Sequence, residues 1–301
     1  MNNQYDYDYA VIGGDLRQVY LVEELAHDSN RICHYGLCAV PERHRCSPAS
    51  FVAAANSLAE ICNASPCILC PIPFSKHGEF LHQSAFDKAL PLNLLLSNLK
   101  PGQSLFAGCI PKDFRSEAVH MGVHIFDLMS DLPLSYFNTI ATAEGAICEA
   151  IKQSPINLHQ SSCAILGYGK CGKTLAAYLK GMFCHVSVAS NQEEECAQAS
   201  LVTDRAQSLE DFGTCVETFD FIFNTIPSIV ITSDLLARMK RTVTIIDIAS
   251  APGGVDQKAA KKLGIHALSC PGLPGKYAPS SSARAIKKAI ERMLKEDLTC
   301  L

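Results

Sequence analysis

The stretch that most restricts this chain is CAILGYGKCG (163–172). The short apolar run CAIL ends on Gly167-Tyr168-Gly169-Lys170-Cys171-Gly172, which opens the helical run KTLAAYLKGMF and is followed by a second apolar run, HVSVAS (185–190). Strand, glycine turn, helix and strand make a βαβ unit, so two parallel strands must lie side by side under a crossing helix. Each glycine has a physical task there. The first permits the tight turn, the second lets the backbone approach a pyrophosphate, and the third lets the helix lie close on its strand, while the helix N-terminus offers free N–H groups. Gly167, Tyr168, Gly169, Lys170, Cys171 and Gly172 are therefore the candidate residues for binding a dinucleotide.

The rest of the chain repeats that alternation. DYAVIG (8–13), CILCPIP (67–73), SLFAGCI (104–110), VHIFD (123–127), FDFIFNT (219–225) and TIIDIAS (244–250) are short, apolar runs rich in Val, Ile and Phe, with helical patterns between many of them. Such runs predict strands of parallel sheets covered on both faces, hence an α/β protein. At 301 residues the chain has room for two domains of ordinary size facing a cleft. FNTIATAEGAICEAIKQ (137–153) carries Ile140, Ala143, Ile147 and Ile151 at helical spacing before the break Ser154-Pro155, and reads as a connecting helix. The expected plan is a first domain at 1–136, the connecting helix at 137–153, a dinucleotide-binding domain at 154–275, and a C-terminal segment at 276–301. In that last segment Ala283, Ile286, Ile290 and Met293 or Leu294 form one stripe that must be buried, which predicts a helix returning to the first domain.

Composition excludes several classes. With Lys+Arg 26 against Asp+Glu 30, a net charge of −4 provides no electrostatic grip on nucleic acid or an acidic bilayer. MNNQYDYDYA lacks the basic and apolar regions of an export signal, and no apolar run reaches the roughly 18 residues of a membrane span. A cytoplasmic protein is expected, with its 15 Cys kept as thiols. No metal site is expected: Cys33, His34, Cys38, His44 and Cys46 do not have zinc-ribbon spacing, and Cys67 and Cys70 fall within an apolar strand.

The second strand of the dinucleotide unit ends at Ser190-Asn191, where an NAD-preferring loop expects Asp or Glu for the ribose hydroxyls. Neutral groups there do not repel a 2′-phosphate, so the expected cofactor is NADP, with NAD as the alternative. Glu193, Glu194 and Glu195 follow closely and read as a solvated helical face. Thr225, Ile226 and Pro227 end the strand FDFIF, and Asp247 and Ala249 end TIIDI, on the side of an open α/β sheet where ligands bind, so they complete the expected cofactor set.

VIGGDLRQ (11–18), TAEG (142–145), NTIPS (224–228), IIDIASAPGGVD (245–256) and CPGLPGKYAP (270–279), in this order around the glycine loop, resemble the A subunits of bacterial dipicolinate synthase over essentially the whole chain. The resemblance implies two doubly wound parallel-sheet domains, a flavodoxin-like first domain and a Rossmann domain, with a final helix returning to the first. It implies oxidation of dihydrodipicolinate or its hydrated precursor, from the lysine pathway, to pyridine-2,6-dicarboxylate with NADP as hydride acceptor, during spore formation. A smaller, flavoprotein-like B subunit is the implied partner, and a homo-oligomer the expected assembly. Members of that family tend to carry Arg at the position of Ser190, a charge this chain lacks.

Aromatising a dihydropyridine needs a hydride acceptor, one proton relay, and donors for two substrate carboxylates. Arg17, in the first helical turn after VIGGD, is the expected carboxylate partner, with Ser281 and Ser282 after Pro279 for the second carboxylate. Asp15 and Glu144 are the expected proton acceptors. His266 reads as a strand residue, and His77 is an outlying candidate for substrate contact. Two rivals share this architecture. A 2-hydroxyacid dehydrogenase would need an Arg after the strand ending at Asp247, where the chain reads IASAPGG, and a catalytically inert nucleotide-sensing protein would show no turnover.

Overall fold

The structure, a computed structural model, describes residues 5–38, 52–76, 78–84 and 88–299. The strands are β1 (Tyr9–Ile12), β2 (Ile32–Tyr35), β3 (Val52–Ala54), β4 (Cys67–Leu69), β5 (Ser104–Ala107), β6 (His124–Asp127), β7 (Ser162–Leu166), β8 (His185–Ala189), β9 (Arg205–Gln207), β10 (Phe221–Asn224), β11 (Thr244–Asp247) and β12 (His266–Ser269). The helices are α1 (Leu16–Ala26), α2 (Leu58–Ala64), α3 (Leu92–Asn98), α4 (Lys112–His120), α5 (Leu132–Gln153), α6 (Lys170–Gly181), α7 (Glu193–Ser200), α8 (Leu209–Thr214), α9 (Ser233–Arg238), α10 (Gln257–Leu263), α11 (Leu273–Tyr277) and α12 (Pro279–Thr299). The chain divides into two units, Met1–Phe137 with Ala278–Leu301, and Asn138–Tyr277.

In the first unit the six strands pair in parallel in the order β3-β2-β1-β4-β5-β6. Without β3 this is the flavodoxin order, and β3 adds an edge beyond β2. Alternation along β1 feeds two cores: Ala10 and Ile12 join Ile68, Phe74, Leu105 and Phe114 on one face, while Val11 joins Leu21, Leu25, Phe106 and Leu128 on the other. The second face also receives Ala283, Ile286, Ala289 and Ile290 of α12, so the C-terminal helix is built into the first unit. Its polar side pairs with the same unit, Arg284 with Glu24 at 3.1 Å and Arg292 with Asp131 at 2.7 Å.

The second unit repeats the order, as β12-β11-β10-β7-β8-β9, all parallel. Cys163 and Ile165 of β7 face one core with Val186, Phe221, Phe223 and Ile246, and Ala164 and Leu166 face another with Ile222, Phe212 and Ile245. The expectation for 137–153 needs correction. The helix starts at Leu132, and its buried stripe is Ala143, Ala146, Ile147 and Ala150, all in the second unit's core, while Ile140 and Ile151 are exposed. Leu134 of the same helix belongs to the first unit's core. The boundary therefore falls inside α5 because the burial of one helix is shared between two cores.

Candidate functional site

In the second unit the glycine loop follows β7 and α6 begins at Lys170, with Gly169 as its N-cap. Gly167 has φ +86°, and a Cβ there would lie 2.5 Å from Thr225 Oγ1. At Gly172 a Cβ would lie 2.2 Å from the Gly167 carbonyl oxygen, the close approach of helix to strand that the third glycine serves. Gly169 is different. Its φ is −68°, which any residue adopts, and a Cβ there would meet no atom within 4 Å.

The open space before Gly169 is a cavity of about 330 Å³ at the C-terminal ends of β7, β8 and β10, where the strand order reverses. Of the expected residues, Gly167, Gly169, Ser190, Asn191, Thr225, Ile226 and Pro227 line it. Ser228, which continues the loop of residues 225–227, lines it as well, and so do Gln192, Glu195, Leu209 and Val230, which the sequence did not single out as cofactor residues. Thr225 is fixed by its hydroxyl and its N–H, both donating to the Leu166 carbonyl at 2.9 Å. Glu195 is the main correction to the sequence reading. Its Oε2 accepts the Ser190 hydroxyl at 2.6 Å and the Tyr168 N–H at 2.9 Å, so the end of β8 carries a carboxylate after all. In sequence it is one of three successive glutamates in the first turn of α7, and only the direction of its side chain sets it apart.

Asp247 and Ala249 do not line the cavity. Asp247 is buried, accepting Asn224 Nδ2 at 2.8 Å, the Ala249 N–H at 3.3 Å and the Gly254 N–H at 2.9 Å, and so ties the turn after β11 to that after β10. Glu144 lies exposed on α5 and accepts the Tyr178 hydroxyl at 3.0 Å. Lys170 and Cys171 occupy the first turn of α6.

In the first unit Asp15 caps α1, accepting the N–H and Nε of Arg17 on Oδ1 at 3.0 and 2.9 Å and Nη2 on Oδ2 at 2.8 Å. Burial works to raise the Asp15 carboxyl, but the hydrogen bonds and charge of Arg17 outweigh it and hold the group below its ordinary range. A carboxylate so stabilised is a weak proton acceptor, which argues against the expected relay. Arg17 itself is 4% exposed and also donates to the Ile72 carbonyl. Its guanidinium braces the turn after β1 against the turn after β4, and a substrate carboxylate would have to displace these partners. Close by, burial pushes His82 down to about 4, aided by Lys76 and Arg17 and opposed by Asp15, which leaves a neutral imidazole. His77 lies outside the described residues.

Ser282 needs a correction too. α12 begins at Pro279, so the Ser282 N–H is consumed by the Ala278 carbonyl at 2.9 Å and its side chain is fully buried. Ser280 and Ser281 are the serines whose N–H groups lie in the open first turn. His266 is in β12, within 3.0 Å of Gln153 Oε1. Cys67 and Cys70 are buried, and burial drives both thiols far up. Among the described residues no helix is long and apolar enough to cross a membrane.

A parallel sheet in this strand order, with a glycine loop opening on a cavity at the switch point, defines a nicotinamide-dinucleotide-binding domain of the dehydrogenase class. Residues 138–263 match the D-isomer specific 2-hydroxyacid dehydrogenase NAD binding domain, and residues 8–129 match the N-terminal domain of the dipicolinate synthase A subunit. The A subunit of dipicolinate synthase from Bacillus subtilis (strain 168) is 34% identical over 166 residues, 54% of this chain and 55% of that protein, so the aligned region spans about half the curated relative. The crystal structure of the dipicolinate synthase A subunit from Bacillus subtilis superposes with a TM-score of 0.80 at 25% identity over 100% of both chains. That of its counterpart from Bacillus halodurans gives 0.82 at 24% identity over 97% of this chain and 98% of the other. The chain is thus similar in its first unit to the N-terminal domain of dipicolinate synthase A subunits and in its overall course to their solved structures.

Proposed function

We propose that this chain oxidises dihydrodipicolinate, or its hydrated precursor, to pyridine-2,6-dicarboxylate, with a nicotinamide dinucleotide as hydride acceptor. The observation that carries the dinucleotide is Gly169: neither its φ nor any neighbour requires glycine, and the space its missing side chain leaves open belongs to the cavity. Backbone approach of a pyrophosphate is the remaining reason for glycine there. The loop of Gly167, Gly169 and the first turn of α6 would hold the pyrophosphate, and Thr225, Ile226 and Pro227 would border the path toward the nicotinamide. The cofactor supplies the acceptor for one hydride; the substrate ring loses that hydride and one proton, and the hydrated precursor also loses water. The family matches support the substrate, a dicarboxylate, and a partner protein in the form of a B subunit. The neutral end of β8 was the ground for expecting NADP, and the Glu195 carboxylate removes it.

The test is to follow the absorbance of dipicolinate and of reduced nicotinamide together, on freshly made lysine-pathway intermediate, with the chain alone and with a B subunit. Both bands should rise in equal molar amounts. Reduced nicotinamide accumulating from a 2-hydroxy acid and not from the lysine-pathway intermediate would replace this reading with that of a 2-hydroxyacid dehydrogenase.

A further inference from the structure

Given that the cavity before Gly169 takes a nicotinamide dinucleotide, we propose that Glu195 selects NAD(H) against NADP(H). Dinucleotide loops usually place an acidic residue at the end of the second strand, where it accepts the ribose hydroxyls of the adenosine half. This chain has Ser190 there, and the carboxylate comes instead from the first turn of α7. Two hydrogen bonds hold it: Oε2 takes the Ser190 hydroxyl at 2.6 Å from the end of β8, and the Tyr168 N–H at 2.9 Å from the glycine loop. The carboxylate thus bridges the two segments between which the adenosine ribose lies in this class of loop. Its other oxygen, Oε1, makes no hydrogen bond among the described residues and is free to accept from a ribose hydroxyl.

A 2′-phosphate in that position would bring a second anion against a carboxylate that can turn away only by giving up both hydrogen bonds. Recognition of the phosphate would need a compensating cation. Among the described residues Glu195 is the one charged side chain lining the cavity, and no Lys or Arg lines it. The exposed Glu193 and Glu194 in the same helical turn add to the negative field.

The experiment is calorimetric titration of the whole folded chain with NADH and with NADPH, for the wild type and for Glu195→Gln. The wild type should bind NADH at least about tenfold more tightly than NADPH. Glutamine keeps an acceptor for the Tyr168 N–H while removing the charge, so Glu195→Gln should strengthen NADPH binding and bring the two affinities together. A wild type that binds NADPH as tightly as NADH, or a Glu195→Gln chain with an unchanged affinity ratio, overturns the proposal; the wild-type ratio decides even if the variant does not fold. A folded wild type that binds neither dinucleotide overturns the cofactor reading itself, and this proposal with it.

Discussion

At the scale of single residues, the three glycines of one loop separate ligand binding from folding. Gly169→Val adds a side chain to open space, so it should abolish NADH binding in calorimetry while the melting temperature stays within a degree or so of wild type, since no neighbour is displaced. Gly172→Ala drives a methyl into the Gly167 carbonyl and should lower the melting temperature by several degrees, roughly the effect of 1–3 kcal/mol of overpacking. The buried Arg17 makes a third case. With side-chain exposures of 5% for Arg17 and 16% for Asp15, Arg17→Ala leaves a buried carboxylate without its partner and should cost about 3–5 kcal/mol in urea denaturation. Acid adds a sign. Asp15 titrates below its ordinary value of 3.8, so its stabilisation is present above that pH and is lost as the pH falls through the folded value, a loss that Arg17→Ala should blunt. His82 works over a higher window: its folded value of about 4 lies below the ordinary 6.5, so the unfolded chain takes up the proton first and stability falls as the pH drops from 6.5 toward 4. His82→Gln should flatten that slope in denaturation midpoints measured at pH 7, 5.5 and 4.5, and an unchanged slope would place its titration elsewhere.

At the scale of elements, α12 shows what a periodic pattern can and cannot carry. Its stripe Ala283, Ile286, Ile290 was visible as a 3.6-residue repeat, and it is the stripe that closes over α1 and Leu128. Ile286→Ala should cost about 2–5 kcal/mol, the range for a buried aliphatic side chain that leaves a cavity, and Lys288→Ala on the exposed side close to nothing. Strands buried on both faces were equally legible, because β1, β5, β7, β10 and β11 are continuous apolar runs. ICHY and RAQ were not: both are short and mix polar with apolar residues, and pairing, of β2 with β1 and β3 and of β9 with β8, rather than sequence pattern makes them strands. CILCPIP was read too long, for the strand stops at Leu69 just ahead of Pro71 and Pro73, which have no N–H for a ladder. In the site the glycine loop was readable because backbone geometry dictates glycine. Glu195 was not, because three successive glutamates look alike in sequence and only the direction of one side chain toward Ser190 and Tyr168 distinguishes it. The surroundings of Arg17 were unreadable for a similar reason: its place at a strand end was legible, but its burial against Asp15 and Ile72 depended on the turn after β4, far away in sequence.

At the scale of the whole molecule, the chain leaves the first unit inside α5 and returns to it between Tyr277 and Ala278, so the second unit is an insertion into the first. An insertion of this kind is self-sufficient when its own ends are tied together. Here they are: the Tyr277 hydroxyl donates to Glu149 Oε1 at 2.5 Å, Lys276 pairs with the same carboxylate, and Gly145 leaves room for Leu273 and Tyr277, whose atoms would lie 2.9–3.0 Å from a Cβ at that position. The lysine and the tyrosine hydroxyl hold Glu149 below its ordinary value, so the clasp stays charged at neutral pH. The first unit depends on a later segment instead, since one face of its sheet is covered by α12, which follows the insertion. Residues 138–277 expressed alone should therefore fold and bind NADH within a few-fold of the full chain, as all described residues lining the cavity are on that fragment. Residues 1–137 alone should expose Leu21, Leu25 and Leu128 and bind a hydrophobic dye, and joining them through a short flexible linker to 278–301 should restore a cooperative melt. A cooperative, dye-silent 1–137 fragment would mean that α12 is an accessory to the first core and not a part of it.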